Sequence, residues 1–163
     1  MRSTKTNLGE TISADARLGH LDILTRYFLK SNKLFEELRL EFVHFEPSRV
    51  EIRIPFNDQF ELSAGEGLSS GILTTALDSI FGLIVLANLK ELAPVATIDL
   101  NVEFTSTTRR GQSVVCHAEY GALSDQVAHV RGHVFGEETG QIFAFGSATF
   151  MVGTRGPAIG SVA

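Results

Sequence analysis

The chain has 163 residues, of which 44% are hydrophobic and 20% charged, a composition that suits one globular domain with its own core. Its net charge of −5 argues against a nucleic-acid partner, since such proteins carry a basic excess. The one cysteine, Cys116, rules out an internal disulfide. It lies in an alternating strand pattern, which indicates a small buried residue in a reducing, cytoplasmic location.

The two ends of the chain differ in composition from the rest. Residues 1–20 are polar and contain no apolar segment of a secretory signal, so we expect them to be disordered. We expect residues 21–152 to form a single domain and residues 153–163 a flexible tail. The domain begins with Leu21–Leu34, where the apolar spacing predicts an amphipathic helix of about three turns that is interrupted near Ser31.

Two alternating segments then predict a β-hairpin. Apolar and polar residues alternate in Leu38–Phe45, and a second alternation follows the turn-prone residues 46–48 and places four apolar side chains on one face: Val50, Ile52, Ile54 and Phe56. Residues 57–70 are rich in Gly, Ser and charge, which indicates a loop. Ser69 or Ser70 is suited to cap the helix that comes next.

Gly71–Leu89 is long and nearly apolar, and contains a single carboxylate, Asp78. At 100° per residue its apolar side chains cover most of the helix circumference, as in a helix buried on most sides. The polar and small residues fall within a sector of roughly 140°: Gly71, Thr74, Thr75, Asp78, Ser79 and Gly82. This polar stripe should face a cleft or a partner. A carboxylate in mid-segment, with alternating segments after it, argues against a membrane span.

Four strands follow the long helix. Val95–Thr105 alternates strictly, with Ala96, Ile98, Leu100, Val102 and Phe104 on one face. Turn-like residues 121–125 and 136–140 separate the other three strands, Ser113–Tyr120, Gln126–Phe135 and Gln141–Val152. Short connections imply antiparallel neighbours. The pattern therefore predicts an α+β domain in which an antiparallel sheet wraps around one long central helix.

Three segments resemble those of a known family: LSSGILTTALDSIFGLI, VATIDLNVEF and TTRRGQ. Together with the element order they resemble the hot-dog fold and, within it, the PaaI-like acyl-CoA thioesterases, over roughly Leu34 to Val152. The resemblance implies an acyl-CoA thioesterase that needs no cofactor or metal and works as a homo-oligomer, either a dimer or a dimer of dimers.

The resemblance also assigns site residues. Asp78 matches the family's acidic position and Thr97 a Ser or Thr near it, while Ser69, Ser70 and Gly71 stand where the family has His-Gly-Gly. In the family that segment presents a backbone N–H to the thioester carbonyl, and an acidic residue of the other subunit faces it. A loop Asn of the family is matched here by a serine, Ser63.

The chemistry of the candidate site can also be followed from the residues. Free N–H groups at Ser70 and Gly71, with the helix dipole, would stabilise an oxyanion. Asp78 would act either as a nucleophile or as a general base for water. It lies about 10 Å along the helix from Gly71, so one site should combine two subunits. The remaining candidate substrate contacts are Ser63, Ser69, Thr75, Arg109 and Arg110.

Several alternatives stay open. Thr75 can bond back to its own helical turn, and Arg109 and Arg110 either grip coenzyme A phosphates or form a solvated turn. The missing loop His and Asn are compatible with a non-catalytic acyl-CoA binding or regulatory protein. A hydratase is a third alternative. The sequence does not fix the acyl group.

Overall fold

The computed structural model describes residues 21–28, 32–63 and 66–155. Residues 21–28 are helical and are named α1 here; residues 1–20, expected to be disordered, lie outside the described residues, as does the tail beyond residue 155. The elements that follow, with one 3₁₀ turn at Asp58–Phe60, are α2 Lys33–Glu37, β1 Glu41–Glu46, β2 Arg49–Ile54, α3 Ser70–Asn88, β3 Val95–Phe104, β4 Val114–Ser124, β5 Val127–Gly136 and β6 Ile142–Val152.

The six strands form one antiparallel sheet in the order β1-β2-β4-β5-β6-β3. The long helix α3 packs against one face of this sheet and contacts five of its strands, β2 to β6. The predicted hairpin is present as β1 and β2, and the predicted central helix as α3. The hot-dog architecture expected from the sequence is therefore confirmed.

The close packing of α3 on the sheet depends on a row of small residues in the sheet. Ala118, Gly132 and Gly146 are directly opposite one another on β4, β5 and β6. The ring of Phe81 is fully buried over this row, and a Cβ added at Gly146 would lie 3.0 Å from Phe81 Cζ. Because Gly132 and Gly146 have no side chain, the aromatic ring of Phe81 approaches the sheet backbone closely.

The apolar side chains of α3 are buried on most sides, as the sequence predicted. By length and composition alone α3 is also apolar enough to cross a membrane. Its buried residues join the single hydrophobic core that the sheet forms, so α3 is the core helix of this domain.

The N-terminal elements differ in part from the prediction. The predicted helix Leu21–Leu34 is helical at residues 21–28, and a separate helix α2 begins at Lys33, where the side chain of Asn32 accepts a hydrogen bond from Leu34 N at 3.0 Å. The first strand begins at Glu41 and not at Leu38. Leu38 is the C-cap of α2 and Arg39 adopts a positive φ of 51°, so the extended strand conformation starts only after them.

The turn predicted at residues 121–125 is shorter in the structure. β4 runs to Ser124, and Asp125 adopts a positive φ of 54° in the tight turn to β5. The pairing shifts by one residue at Gly121, where a Cβ would lie 2.8 Å from His129 O. Gly121 therefore marks a β-bulge inside the strand and not the turn that its residue type suggested.

The strict alternation predicted for the strand after α3 is wrong at Ile98. The pairing of β3 with β6 shifts between Thr97 and Asp99, so Ile98 is an extra residue in the ladder and is 55% exposed. Thr97 faces α3 before this bulge and Leu100 packs on the core after it. The bulge thus moves Thr97 away from the face of Asp99 and toward the helix.

We predict opposite stability changes for two glycine substitutions. Gly146→Val should lower the free energy of unfolding by about 1–3 kcal/mol, because its side chain overpacks against the buried Phe81. Gly82→Ala, where the added Cβ meets only Phe150 at 3.6 Å, should raise it by about 0.5–1 kcal/mol through helix propensity. Urea denaturation of both variants measures this, and a stable Gly146→Val protein would contradict the packing described.

Candidate functional site

The polar stripe of α3 lies on the side of the helix that the sheet does not cover. Gly71 and Thr75 are exposed, and Asp78, Ser79 and Gly82 are half-buried. Thr75 and Ser79 donate their hydroxyl hydrogens to carbonyl oxygens one turn earlier in α3, at 2.8 Å each. Asp78 is thus the one carboxylate in a surface of small and internally bonded groups.

The hydroxyl of Thr97 on β3 donates a hydrogen bond to Asp78 Oδ1 at 2.9 Å. No other hydrogen bond of the Asp78 carboxylate occurs within the described part of the chain. The bond fixes one oxygen, and Oδ2 makes no hydrogen bond with any described residue. The β-bulge at Ile98 is what brings Thr97 to this side of the sheet.

The start of α3 offers unpaired backbone donors. Ser69 caps the helix, with its hydroxyl oxygen 3.4 Å from Ile72 N, and its carbonyl accepts from Ile72 N and Leu73 N. The N–H groups of Ser70 and Gly71 make no hydrogen bond with any described residue. A Cβ at Gly71 would meet only Ser69 Oγ, at 4.0 Å, so there is open space on the side-chain side of Gly71.

The two serines before Gly71 fit this helix start without backbone strain. Ser69 has φ −64° and ψ 145°, and Ser70 is a regular helical residue. Among the described non-glycine residues only Arg39 and Asp125 have positive φ. The backbone at Ser69 and Ser70 therefore does not require glycine, and either residue presents its N–H with a side chain in place.

The carboxylate and the free amides lie far apart within one chain. Asp78 and Gly71 belong to one uninterrupted helix, Ser70–Asn88. Seven residues at 1.5 Å each separate them by about 10 Å along its axis. A thioester carbonyl bound at the amides is therefore out of reach of Asp78 of the same chain.

A cleft of about 250 Å³ opens beside the start of α3. Its lining combines four apolar side chains with four hydroxyl-bearing ones: Leu62, Leu68, Leu73, Phe104, Ser70, Ser106, Thr107 and Thr108. The sequence analysis missed this cleft. Phe104 was assigned to the core by alternation, but it is 43% exposed because β3 is an edge strand.

The loop before α3 is tied to the turn at residues 107–111. The backbones of Glu66 and Arg109 pair in an isolated bridge, and the buried hydroxyl of Thr108 lies 3.4 Å from Leu68 O and donates to it. Gly67 packs so closely on Thr108 that no Cβ fits there. These contacts hold the chain in place as it enters the helix.

The two arginines of this turn differ in their contacts. Arg110 Nη2 donates to Asp58 Oδ1 at 3.1 Å, and its Nε lies 3.4 Å from Glu61 Oε1. The Arg109 guanidinium is exposed and makes no ion pair within the described residues. Both line a surface cleft of about 290 Å³ together with Arg53. The charge of Arg110 is thus partly neutralised by these carboxylates, whereas the Arg109 guanidinium is available to an anion.

Two other candidate substrate contacts lie apart from the cleft beside the helix start. Ser63 is exposed, its carbonyl accepts a hydrogen bond from Glu66 N at 2.9 Å, and it does not line that cleft. Thr75 bonds to Gly71 O, which leaves its hydroxyl oxygen able only to accept a further hydrogen bond.

The outer face of the sheet carries a polar cluster that the sequence did not reveal. His117 is buried between two carboxylates, with Nδ1 2.9 Å from Glu51 Oε1 and Nε2 3.4 Å from Glu119 Oε1. His133 lies opposite His117 on the neighbouring strand with a ring-centroid distance of 4.6 Å, and Phe145 follows on β6. Hydrogen bonds from His117 and Arg131 lower the pKa of Glu119.

Cys116 is fully buried on β4, as its sequence context predicted. Burial raises the pKa of its thiol, which therefore stays protonated at neutral pH and is no nucleophile. In residues 21–28, 32–63 and 66–155, no group of three or more His, Cys, Asp or Glu side chains is arranged to hold a metal ion.

Comparison with protein families finds one match: a model described as the thioesterase superfamily aligns with residues 68–143, which include α3 and β3 to β5. Among curated proteins, no sequence matches this chain.

Solved structures of thioesterases share the fold. A thioesterase from Haemophilus influenzae is 20% identical, with a TM-score of 0.70 over 90% of this chain and 94% of that one. The E. coli PaaI protein from the phenylacetic acid degradation operon is 8% identical, with a TM-score of 0.72 over 85% and 94%. Zebra fish thioesterase superfamily member 2 is 17% identical, with a TM-score of 0.69 over 82% and 95%. The predicted fold and the predicted resemblance to PaaI-like hot-dog thioesterases are confirmed.

The histidine pair on the outer face generates a prediction about pH. Burial and then the neighbouring His117 lower the pKa of His133 below its ordinary value of 6.5. The folded chain therefore binds a proton on His133 less readily than the unfolded chain does. The stability that the neutral His133 allows above pH 6.5 is lost as the pH falls toward the folded pKa. Urea denaturation midpoints should drop between about pH 7.5 and about pH 5.5. The drop should be smaller in His133→Gln, and equal drops in both proteins would contradict this origin.

Proposed function

We propose that this chain, a hot-dog protein that resembles the PaaI-like thioesterases, hydrolyses an acyl-CoA thioester to a free acid and CoA. The observation that carries the proposal is the pairing of Asp78 with Thr97 on the open side of α3, together with free amides at the start of the same helix. The match to the thioesterase superfamily supports a thioesterase-type function.

The chemistry of the proposed site has two halves. The N–H groups of Ser70 and Gly71, at the positive end of the α3 dipole, would hold the thioester carbonyl oxygen and the negative charge that develops on it. Asp78 would either attack the carbonyl carbon to form an acyl-enzyme anhydride that water then hydrolyses, or take a proton from an attacking water. In both cases the C–S bond breaks and the CoA sulfur leaves and takes up a proton. Thr97 would hold the carboxylate oriented through its hydrogen bond to Oδ1.

We infer that the two halves come from different subunits of a homo-oligomer. β3 is an edge strand, so one row of its backbone groups has no partner strand, and Ile98 and Phe104 on it are exposed. Antiparallel pairing of two β3 strands would set the start of one beside the end of the other. Thr97 with Asp78 lies near the start of β3, whereas Phe104 at its end lines the cleft with Ser70.

This pairing would bring Asp78 of one subunit toward the helix start of its neighbour, which removes the separation of about 10 Å within one chain. The exposed guanidinium of Arg109, on the turn tied to the loop before that helix start, supplies a cation for a coenzyme A phosphate. A cytoplasmic location completes the proposal, since the single buried thiol suits a reducing compartment.

A non-catalytic acyl-CoA binding protein is the second candidate. It is favoured by Ser69 and Ser70, which replace the His and Gly of the resembling family. The ordinary backbone angles at these serines remove strain as a reason for lost activity. This candidate would bind acyl-CoA without releasing CoA.

Asp78→Asn should reduce hydrolysis of the best acyl-CoA substrate by about a hundredfold or more, because a positioned base or nucleophile is worth at least that much. Release of free thiol from acyl-CoA measures the rate. The fold should persist, since the Asn side chain keeps an oxygen that accepts the bond from Thr97.

Asp125→Asn is the matched control, because Asp125 is an exposed carboxylate in the turn between β4 and β5, not on β3, and Asn also adopts its positive φ readily. Its rate should equal that of the wild type. Unchanged turnover in Asp78→Asn would refute the role of Asp78. Tight binding of acyl-CoA with no hydrolysis by the wild type would establish the binding protein instead.

A further inference from the structure

We propose that Arg110 is a positioning residue for the proposed thioester hydrolysis, and that it acts by holding the loop that leads into α3. Its guanidinium pairs with Asp58 and Glu61 of that loop. Through these two carboxylates it fixes the direction in which Ser70 presents its N–H. This inference rests on the proposed function and adds a residue to the same site, one that acts through the loop and does not contact the thioester.

The loop before α3 contains two antiparallel arms, residues 58–62 and residues 66–69. Three backbone contacts join the arms: Leu62 N donates to Gly67 O at 3.0 Å, Ser69 N donates to Phe60 O at 2.9 Å, and Glu61 pairs with Leu68 in an isolated bridge. The second arm ends at Ser69, the residue that caps α3. A shift of the first arm is therefore passed on to the cap of the helix.

The cap residue Ser69 sets the direction of the Ser70 N–H. The Ser69 carbonyl accepts from Ile72 N at 3.1 Å and from Leu73 N at 3.3 Å, so the peptide plane between Ser69 and Ser70 is fixed. Because a peptide bond is planar and trans, the Ser70 N–H points opposite to that carbonyl. The other side of Ser69 is held by the first arm, where its N–H donates to Phe60 O. The donor proposed for the thioester carbonyl is thus placed by the first arm.

The turn at residues 107–111 holds both arms of the loop. Its backbone and the Thr108 hydroxyl contact the second arm. The side chain of Arg110 contacts the first arm, with Nη2 3.1 Å from Asp58 Oδ1 and Nε 3.4 Å from Glu61 Oε1. Arg110 therefore joins the turn to the first arm.

The burial of Glu61 makes the loss of Arg110 unfavourable for the first arm. The Glu61 side chain is 12% exposed, and its buried Oε1 accepts no hydrogen bond within the described part of the chain. The nearby guanidinium offsets the charge of this carboxylate. Without Arg110 the carboxylate would be buried and uncompensated, and the arm would have to open for water to hydrate it. Asp58 is 69% exposed, so its pair with Arg110 contributes less.

The same two carboxylates disfavour a phosphate of coenzyme A at Arg110. A phosphate would compete with Asp58 and Glu61 for the guanidinium and would lie close to their negative charges. The Arg109 guanidinium, in contrast, makes no ion pair within the described residues. The two arginines of the turn therefore differ in role, since Arg109 is available to the substrate and Arg110 is bound to the loop.

The test compares Arg110→Gln with the wild type on the best acyl-CoA substrate. We expect kcat to fall about tenfold, because a misplaced donor loses part of the roughly hundredfold effect that removing an oxyanion donor has. KM should change by less than about twofold, since no contact with the substrate is lost. The pantetheine thioester of the same acyl group lacks the phosphates of coenzyme A and should show the same fall in kcat.

A matched control and a double variant separate positioning from a general loss of stability. Arg49→Gln removes a similar ion pair in the polar cluster on the outer face, where Arg49 is 47% exposed and its partner Glu51 is 12% exposed. This control should keep the wild-type kcat. Glu61→Gln added to Arg110→Gln removes the uncompensated buried charge and should bring kcat back to within about threefold of the wild type.

Hydrogen exchange gives a readout that does not depend on activity. In Arg110→Gln the amides of Leu62 and Ser69, which donate to the opposite arm, should exchange about tenfold faster than in the wild type, because the arms separate more often. The amides in the middle of α3 should keep their wild-type protection. In Arg49→Gln the amides of Leu62 and Ser69 should exchange as in the wild type.

The outcomes separate this inference from the proposed function. An unchanged kcat in Arg110→Gln, a rise in KM confined to acyl-CoA, or unchanged exchange at Leu62 and Ser69 would overturn the positioning role and leave the hydrolase standing. No hydrolysis of any thioester by the wild type would overturn the proposed function. The exchange rates would then still decide whether Arg110 holds the loop at the start of α3.

Discussion

The packing of α3 into the sheet is the constraint on which the other features depend. Phe81 approaches the backbone over Gly132 and Gly146, which no side chain separates from the ring. The helix therefore lies against the sheet with its apolar sides buried and its polar stripe turned outward. With the helix fixed in this way, Asp78 and the amides at its start are held at a set separation, and neither can move toward the other.

Most of the fold was predictable because its signals are local. The apolar run and its single carboxylate placed the central helix within one residue at each end, and the predicted polar stripe is the uncovered side of α3. The features that were not predictable depend on register. The bulge at Ile98 turns Thr97 toward Asp78, and strand pairing sets His117 beside His133, sixteen residues apart in sequence. Periodicity also assigned Phe104 to the core, since it carries no information about which strand forms the edge.

At the candidate site the residues differ from those of the resembling family, while the backbone donors of the helix start are present. Ser69 caps α3, and Ser70 occupies the first helical position with an N–H that bonds to no described residue, so the donors at the helix start remain although the family's His and Gly are absent. On the carboxylate side, Thr97 binds one oxygen of Asp78 and leaves the other free. The two halves lie about 10 Å apart along one uninterrupted helix, which supports the proposal that one site combines two subunits.

The most direct test of this account is activity in a mixed dimer. Asp78→Asn subunits are co-expressed with Ser70→Pro subunits, in which proline removes one helix-start donor at the first helical position, where helices tolerate it and the preceding residue Ser69 is already extended. Each variant alone should have little thioesterase activity, whereas the mixed dimer, purified through two different tags, should recover about half of the wild-type rate because one of its two symmetric sites is intact. A mixed dimer as inactive as either parent would show that the carboxylate and the amides do not act across subunits.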